Sequence, residues 1–354
     1  VVRDVAVIAF AQMPNVRAET VLNEVEMLMP VIHDVRQRAG LDQQQIGFTC
    51  SGSTDYLSGQ AFSFVSTLDG VGPWPPIQES HVEMDGAWAL YEAWVKLQLG
   101  DLDTALVYCY SKSAPGPLQE VLSRQLDPYH VAPLWPDAIS LAALQTRSLL
   151  DAGKATEADF AEVVARSRRN AMDNPNAQLA WDRAEADLLA EEPMVDPLRK
   201  HDCPPISDGA SAVILAAGDR ARELCARPAW IRGIDHRIEP MALGLRDLTV
   251  SASTRLAGEK AGVGGAPMDV AELHAPFSPQ ELILRDALGL GDHDNVNPSG
   301  GALAANPMMV AGLTRIGEVA QRIIDGTAMR GVAHATSGPC LQQNLVTVLE
   351  GDPT

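Results

Sequence analysis

The chain is most informative first for what it lacks. It has five cysteines (Cys50, Cys109, Cys203, Cys225 and Cys340), an odd number with no C-x-x-C spacing. That pattern argues against a disulfide framework and against a zinc site, so no metal is expected and buried, reduced thiols are the default. No run of about 18 consecutive apolar residues occurs, so no helical membrane span is expected. The opening VVRDVAVIAFAQ lacks a basic region followed by a cleavable apolar segment and alternates like a strand, which reads as a cytoplasmic protein. Net positive charge is lacking too. The formal charge of −19 argues against nucleic acid or an anionic membrane as partner, while leaving room for small anions at a local basic patch.

What is there is an ordinary globular composition, 46% hydrophobic over 354 residues, a length that suggests two domains or one duplicated unit. The first hundred residues alternate strand and helix patterns. Strands are expected at 4–11, 46–50 and 103–110, with helices at 24–38, ended by Gly40, and 86–99, closed by Gly100. This alternation implies an α/β protein with a mostly parallel sheet covered by helices. Between about 112 and 201 prolines and polar residues intervene, then helices such as 156–171, and the stretch reads as an excursion from the sheet. The second half repeats the first in outline. Strands are expected at 229–238, 270–273, 331–336 and 345–349, and helices at 251–261, 278–288 and 302–324, the last a single long helix. An approximate duplication is readable, with halves 1–225 and 226–354.

The stretch from Asp294 to Gly312, DNVNPSGGALAANPMMVAG, organises the rest. A turn cluster, Asn297-Pro298-Ser299, precedes Gly300 and Gly301 and then a small, apolar run. Paired glycines at a loop-to-helix junction let backbone approach a ligand and leave amide N–H groups free; a tight turn capping a core helix is the competing reading. The whole string resembles the N-x-x-G-G…G-H-P…G-A-x-G signature of the thiolase superfamily, in particular its sterol carrier protein x and lipid-transfer-protein branch. The resemblance extends over essentially the whole chain. It implies a duplicated, layered αβαβα thiolase fold with an inserted loop region in the first half.

Four loops would then supply the site. In the first, entering the helix near Gly86, the family's nucleophilic Cys aligns with Glu83. A carboxylate cannot take its place as acyl acceptor, because the product would be a reactive anhydride. Glu83 or Asp85 could instead serve as a base with a pKa raised by burial, or simply cap the helix. In the second, Glu272-Leu273-His274-Ala275-Pro276-Phe277, His274 aligns with the first residue of the family's H-D-C-F or N-E-A-F loop, which holds an oxyanion-binding water or a carbonyl oxygen. In the third, the family's G-H-P histidine is replaced by Asn306, which can donate through its amide but cannot take a proton. In the fourth, the family's C-x-G cysteine falls at Gly338, two residues from Cys340. Cys340 is thus either a displaced catalytic thiol or an incidental one.

Gly300, Gly301 and Gly338 are the expected substrate-binding glycines. Arg166, Arg168 and Arg169 could meet the phosphates of coenzyme A, or form a solvated helix face. Asp208, in the S-D-G-A turn, reads as structural. No cofactor is expected to be permanently bound; coenzyme A enters as part of the substrate.

With the nucleophile missing, the resemblance implies an acyl-CoA protein of lipid or steroid side-chain degradation working by retro-aldol C–C cleavage. The alternatives are a non-catalytic subunit completing an active partner, and a Cys340-dependent acyltransferase. The expected partners are an identical or related thiolase-like chain in a dimer, and a small OB-fold, zinc-ribbon protein. The base in such aldolases is thought to be a tyrosine, but all five tyrosines lie before residue 130, outside the third and fourth loops, and none can be carried over.

Overall fold

A computed structural model describes residues 3–53, 55–291 and 295–352. Asp294, at the head of the organising stretch, lies outside them. The described residues form nine strands: β1 (Val5–Gln12), β2 (Phe48–Gly52), β3 (Glu79–Val82), β4 (Thr104–Ser111), β5 (Gly209–Ala217), β6 (Ala229–Ile238), β7 (Val270–Leu273), β8 (Arg330–Ser337) and β9 (Gln343–Glu350). Their order is β3-β2-β4-β5-β1-β6-β9-β8-β7.

The duplication is written in the topology. One set runs β2-β4-β5-β1 and the other β7-β8-β9-β6. In each, the first pair is parallel and the next two are antiparallel. The copies meet where Ala6 and Val7 of β1 pair with Trp230 and Ala229 of β6. β3 is an addition at the outer edge of the first copy. The expected mostly parallel sheet is therefore corrected to a mixed one. Continuous apolar strands signal burial on both faces, which parallel sheets require but antiparallel ones also show when helices cover both sides. The β8–β9 link, residues 338–342, is also too short for a crossover and forces an antiparallel pair.

Successive strand residues point to opposite faces, and the core divides accordingly. Val5, Val107, Cys109, Val213, Ala333 and Ala335 face a central layer containing the helices Gly86–Gln98 and Ala311–Ile324. Ala6, Ile8, Leu106 and Ile214 face helix Glu24–Ala39 on one outer side. Val332, Val346 and Val348 face helices Ala252–Ala261 and Ser278–Leu288 on the other. Helix, sheet, helix, sheet, helix is the αβαβα layering. Local signals fix the elements. Helix Glu24–Ala39 opens on a reciprocal cap between Asn23 and Glu26 and stops at Gly40 in the left-handed region.

The central layer leaves no slack. A Cβ placed on Gly317 would lie 2.2 Å from the Phe10 ring. Gly317→Ala is expected to destabilise the protein by about 1–3 kcal/mol through overpacking, read as a lower urea midpoint.

The expected long helix 302–324 is also corrected. It divides into a short helix, Gly301–Ala304, and the helix Ala311–Ile324. Pro307 has no N–H and disfavours helical backbone at the residue before it. Ala305 is extended and Met309 has φ 67°. This break delivers Asn306 to the site. Residues 112–208, between β4 and β5, form the excursion, including the helices Ala138–Asp151 and Glu157–Asn170.

Candidate active site

The two central helices begin at nearly the same point, and Asp85 stands between them. Its carboxylate accepts from Ala87 N–H (2.8 Å) in its own helix, and from Gly312 N–H (2.9 Å) and Leu313 N–H (3.0 Å) in the other. A Cβ on Gly312 would sit 2.5 Å from that carboxylate, so only glycine permits the approach. Helix N-termini carry partial positive charge, and here one buried carboxylate serves both. Burial pushes the Asp85 pKa up, against three N–H donors and Arg315, which pull it down. The anion-favouring spot at the helix tips is occupied by the chain itself. Glu83 is exposed beside it, accepting the Asp55 N–H, with its pKa raised by partial desolvation.

His274 and Asn306, drawn from separate loops, are in contact. His274 follows β7, and its Nδ1 accepts the Thr336 N–H of β8 at 3.3 Å. The ring proton therefore resides on Nε2, which donates to Asn306 Oδ1 at 2.9 Å. That fixes the amide orientation, leaving Asn306 Nδ2 as a donor with no hydrogen-bond partner among the described residues. Burial, ahead of an opposing effect from Asn306, pushes the His274 pKa down to about 3, so the imidazole is neutral. The Asn306 N–H donates to Ser207 Oγ (3.0 Å), and the neighbouring Asp208 carboxylate accepts from Glu19 N–H and Ala114 N–H. Behind His274, the buried His334 donates from Nε2 to Asn344 Oδ1 at 2.9 Å, its pKa pushed down to about 4 by burial. Relative to the N-E-A-F and G-H-P loops, imidazole and amide have exchanged places.

The NPSGG turn is a brace. Asn297 Oδ1 accepts from Leu273 N–H (2.7 Å), and its Nδ2 donates to Glu281 (2.8 Å). Ser299 and Arg315 both bind the buried Glu272. Gly300 and Gly301 do not form an open cradle. Gly300 N–H donates to Asn297 O and Gly301 N–H to Ser299 Oγ, while a Cβ on Gly300 would lie 2.7 Å from Ala171. Gly300 lets the inserted helix region pack closely, and Gly301, at φ 61°, makes room for the Asn297 amide, 2.8 Å from where its Cβ would lie.

The fourth loop turns away from His274. Arg246 clamps the carbonyls of Pro339 and Cys340. The Cys340 thiol donates to Leu141 O in an apolar cluster with Leu126, and burial pushes its pKa up to about 11. An unionised, enclosed thiol is a poor nucleophile. Gly338 has φ 76° and packs against Gln342.

The three arginines also diverge. Arg166 pairs with Glu281 and Glu162, and Arg169 with Asp182. Arg168 is buried against Trp181, and its Nε and one terminal nitrogen have no hydrogen-bond partner.

Tyr110 was missed from sequence. It lines a cleft with Leu57, Ser58, Ser111, Lys112, Met308 and Met309, of about 10 Å³, roughly the room one water needs. Its hydroxyl meets Ser58 Oγ at 3.1 Å, and burial raises its pKa. A signal existed in the duplication. Cβ atoms on Gly86 and Gly312 would meet Cys109 and Ala335 respectively, which makes Tyr110 the counterpart of Thr336, the residue whose N–H holds His274.

No protein-family model matches the chain. It is 30% identical over 223 residues to an acetyl-CoA acetyltransferase of Methanothermobacter thermautotrophicus, covering 56% of this chain and 58% of that protein. It is 25% identical over 346 residues to sterol carrier protein 2 of Bos taurus, covering 87% of this chain and 62% of that protein. The chain thus spans less than two thirds of the length of either relative. Among solved structures, a chain of the Ltp2-ChsH2(DUF35) aldolase superposes with a TM-score of 0.80 at 17% identity, covering 99% of this chain and 98% of that one. No helix among the described residues is long and apolar enough to cross a membrane. With the doubled αβαβα core and the four loops in place, the chain has a thiolase-like fold and is similar in sequence to an acetyl-CoA acetyltransferase and to sterol carrier protein 2.

Proposed function

We propose that this chain binds the thioester carbonyl of a β-hydroxyacyl-CoA at the His274–Asn306 pair and cleaves the acyl chain by a retro-aldol step, without a cysteine nucleophile. The observation that carries this reading is the free Asn306 Nδ2 donor, oriented by a neutral imidazole that is itself held by Thr336 N–H. In such a step a base removes the β-hydroxyl proton and the Cα–Cβ bond breaks. A carbonyl compound leaves, and the enolate of the shortened thioester is then protonated at carbon. Asn306 Nδ2 would stabilise the enolate oxygen. Glu83, exposed and holding only the Asp55 N–H, is the carboxylate that would act as base, because Asp85 is committed to the helix ends. Tyr110, kept protonated by its raised pKa, would donate to the substrate from across the cleft. Of the three arginines Arg169 is the exposed one, and it would be the one to meet a coenzyme A phosphate in exchange for Asp182. The resemblance to sterol carrier protein 2 and to an aldolase chain supports a sterol or similar lipid side chain as substrate. The two-component name of that aldolase supports an assembly of more than one chain, and a dimer along the edge strand β3 with a small OB-fold, zinc-ribbon partner belongs to the same proposal.

A second reading, a non-catalytic subunit completing an active partner, is favoured by the Asp85 carboxylate filling the helix tips and by the narrow cleft. Co-expression separates the two. The chain, alone and with its partner, is assayed for release of short acyl-CoA from a β-hydroxyacyl-CoA. Asn306→Asp keeps the acceptor for His274 but replaces the Nδ2 donor with an oxygen, and should lower kcat about 10²- to 10³-fold. Turnover unchanged in Asn306→Asp would sink the retro-aldol reading, and absence of turnover under every pairing would leave the subunit role. Cys340→Ser should leave turnover unchanged.

A further inference from the structure

The outer face of the first sheet changes character at one corner. Along β1, β4 and β5 it is apolar, with Ala6, Ile8, Leu106 and Ile214 against helix Glu24–Ala39. Toward the β3 edge it turns polar. Register places Ser51 of β2 beside Tyr108 of β4 on one side and His81 of β3 on the other. Glu79 is then the diagonal neighbour of Ser51, and Tyr110 follows Tyr108 on the same face. The helix Phe64–Val71 covers this corner. Its Thr67 Oγ1 meets the Tyr108 hydroxyl at 3.1 Å, and its Phe64 ring stacks on His81 at 3.6 Å.

Buried polar atoms are as a rule hydrogen-bonded. Here Ser51 Oγ, Ser63 Oγ and Glu79 Oε1 are buried together without a partner among the described residues. Burial raises the pKa of Tyr108 to about 12, with Thr67 and then Ser51 pulling against it. Burial raises that of Tyr110 too, with Ser58 and then Ser63 pulling against it. Each serine thus lies near its tyrosine without completing the hydrogen bond, and rotation about χ1 closes the contact. Ser63 has helical backbone, so it and Thr67 stand one turn apart on one face. Glu79, Ser51, Tyr108, Thr67, Ser63 and Tyr110 therefore make a line from the sheet edge to the cleft beside Met308 and Met309. An apolar layer would fill this corner without unpaired polar atoms. A line of hydroxyls can pass protons, which an apolar layer cannot.

We infer that this line is a proton path between Glu79 and Tyr110, its two longer gaps, Glu79 to Ser51 and Thr67 to Ser63, each closed by one water. It rests on the retro-aldol reading for the task of Tyr110. There the phenol gives its proton to Cα of the enolate, and a C–H bond forms. The phenolate left behind is buried and unfavourable. The path removes it, each hydroxyl accepting one proton and giving one, while the Glu79 carboxyl gives up its own. Burial raises the Glu79 pKa, so this carboxyl is protonated more readily than an ordinary one. Glu79 is half-buried and regains its proton from solvent. Its side chain stands on the sheet face, out of the plane in which an edge-to-edge partner pairs.

Deuterium exchange at Cα of propionyl-CoA, followed by NMR in D₂O with the full chain, tests the path. Exchange needs a proton to travel between Tyr110 and solvent whether or not a C–C bond is cleaved. The wild type should exchange, and Tyr110→Phe should not. Glu79→Gln and Ser63→Ala should each slow exchange at least about tenfold, the low end of lost acid–base assistance. Ser66→Ala, on the same helix but bonded to Glu24, should exchange at the wild-type rate. Urea midpoints show that each variant is folded. In mixed H₂O and D₂O the wild-type rate should curve with deuterium content, as several protons move together, and become linear in Ser63→Ala, which a purely structural role would not produce. Wild-type rates in both Glu79→Gln and Ser63→Ala would overturn the path, as would absence of exchange in the wild type. Exchange that follows these variants, with no cleavage of a β-hydroxyacyl-CoA, would uphold the path and sink the retro-aldol reading alone.

Discussion

Replacing Asp85 with alanine is expected to cost about 4 kcal/mol of stability. Three buried N–H groups, of Ala87, Gly312 and Leu313, would lose their acceptor at once. A buried donor left unpaired costs about 1–3 kcal/mol, and an N-cap aspartate contributes about 1 kcal/mol to a single helix. Here one carboxylate caps two helices, and these are the helices against which both copies of the fold are packed. The loss should appear as a lower urea midpoint with an unchanged slope, because the same surface is exposed on unfolding. Asp85→Asn keeps one acceptor oxygen but turns an NH₂ toward backbone donors, so about half the loss is expected. If Asp85 were instead the catalytic base, Asp85→Asn would abolish turnover while leaving the midpoint in place, and the capping account would fail.

Much of this architecture was legible in the order of residues, because the signals involved are local. Alternating and continuous apolar runs marked most strands, and Gly40 and Gly100 marked helix ends. What went unread depends on partners distant in sequence. Gly300 and Gly301 suggested a ligand cradle, yet the atom that demands the absence of a Cβ at Gly300 belongs to Ala171 in the excursion. The long helix expected over 302–324 rested on apolar composition, and Pro307 overrode it. His274 and Asn306 were each singled out, but their contact needs both the parallel register of β7 on β8, which brings Thr336 within reach of the imidazole, and the helix break that carries Asn306 to it. Tyr110 stands at the end of an apolar strand and looks like core. Only superposing the two copies shows it to be the counterpart of the residue that holds His274.

Acidification should unfold the protein through its two buried imidazoles. His274 and His334 have pKa values of about 3 and about 4 in the folded chain, both pushed down by burial from 6.5. Below about pH 6.5 the unfolded chain takes up two protons that the folded chain refuses, so stability falls as pH falls. At about 1.4 kcal/mol per unit, the pair accounts for about 5 kcal/mol between pH 7 and about pH 4.5. The loss flattens only when the folded imidazoles protonate, His334 first. Carboxylates with raised pKa values, Asp85 and Glu318 among them, act in the opposite sense by binding protons more readily when folded. A difference measurement isolates the histidines from them. His274→Gln cannot titrate and should be the less stable protein at pH 7, where it loses the fitted ring. Its deficit relative to wild type should shrink by about 2.5 kcal/mol by pH 4.5, as the wild type alone pays for the buried neutral imidazole. A deficit that stays constant from pH 7 to 4.5 in urea titrations would mean that His274 titrates normally in the folded state. In that case the imidazole could not be the fixed neutral donor that orients Asn306.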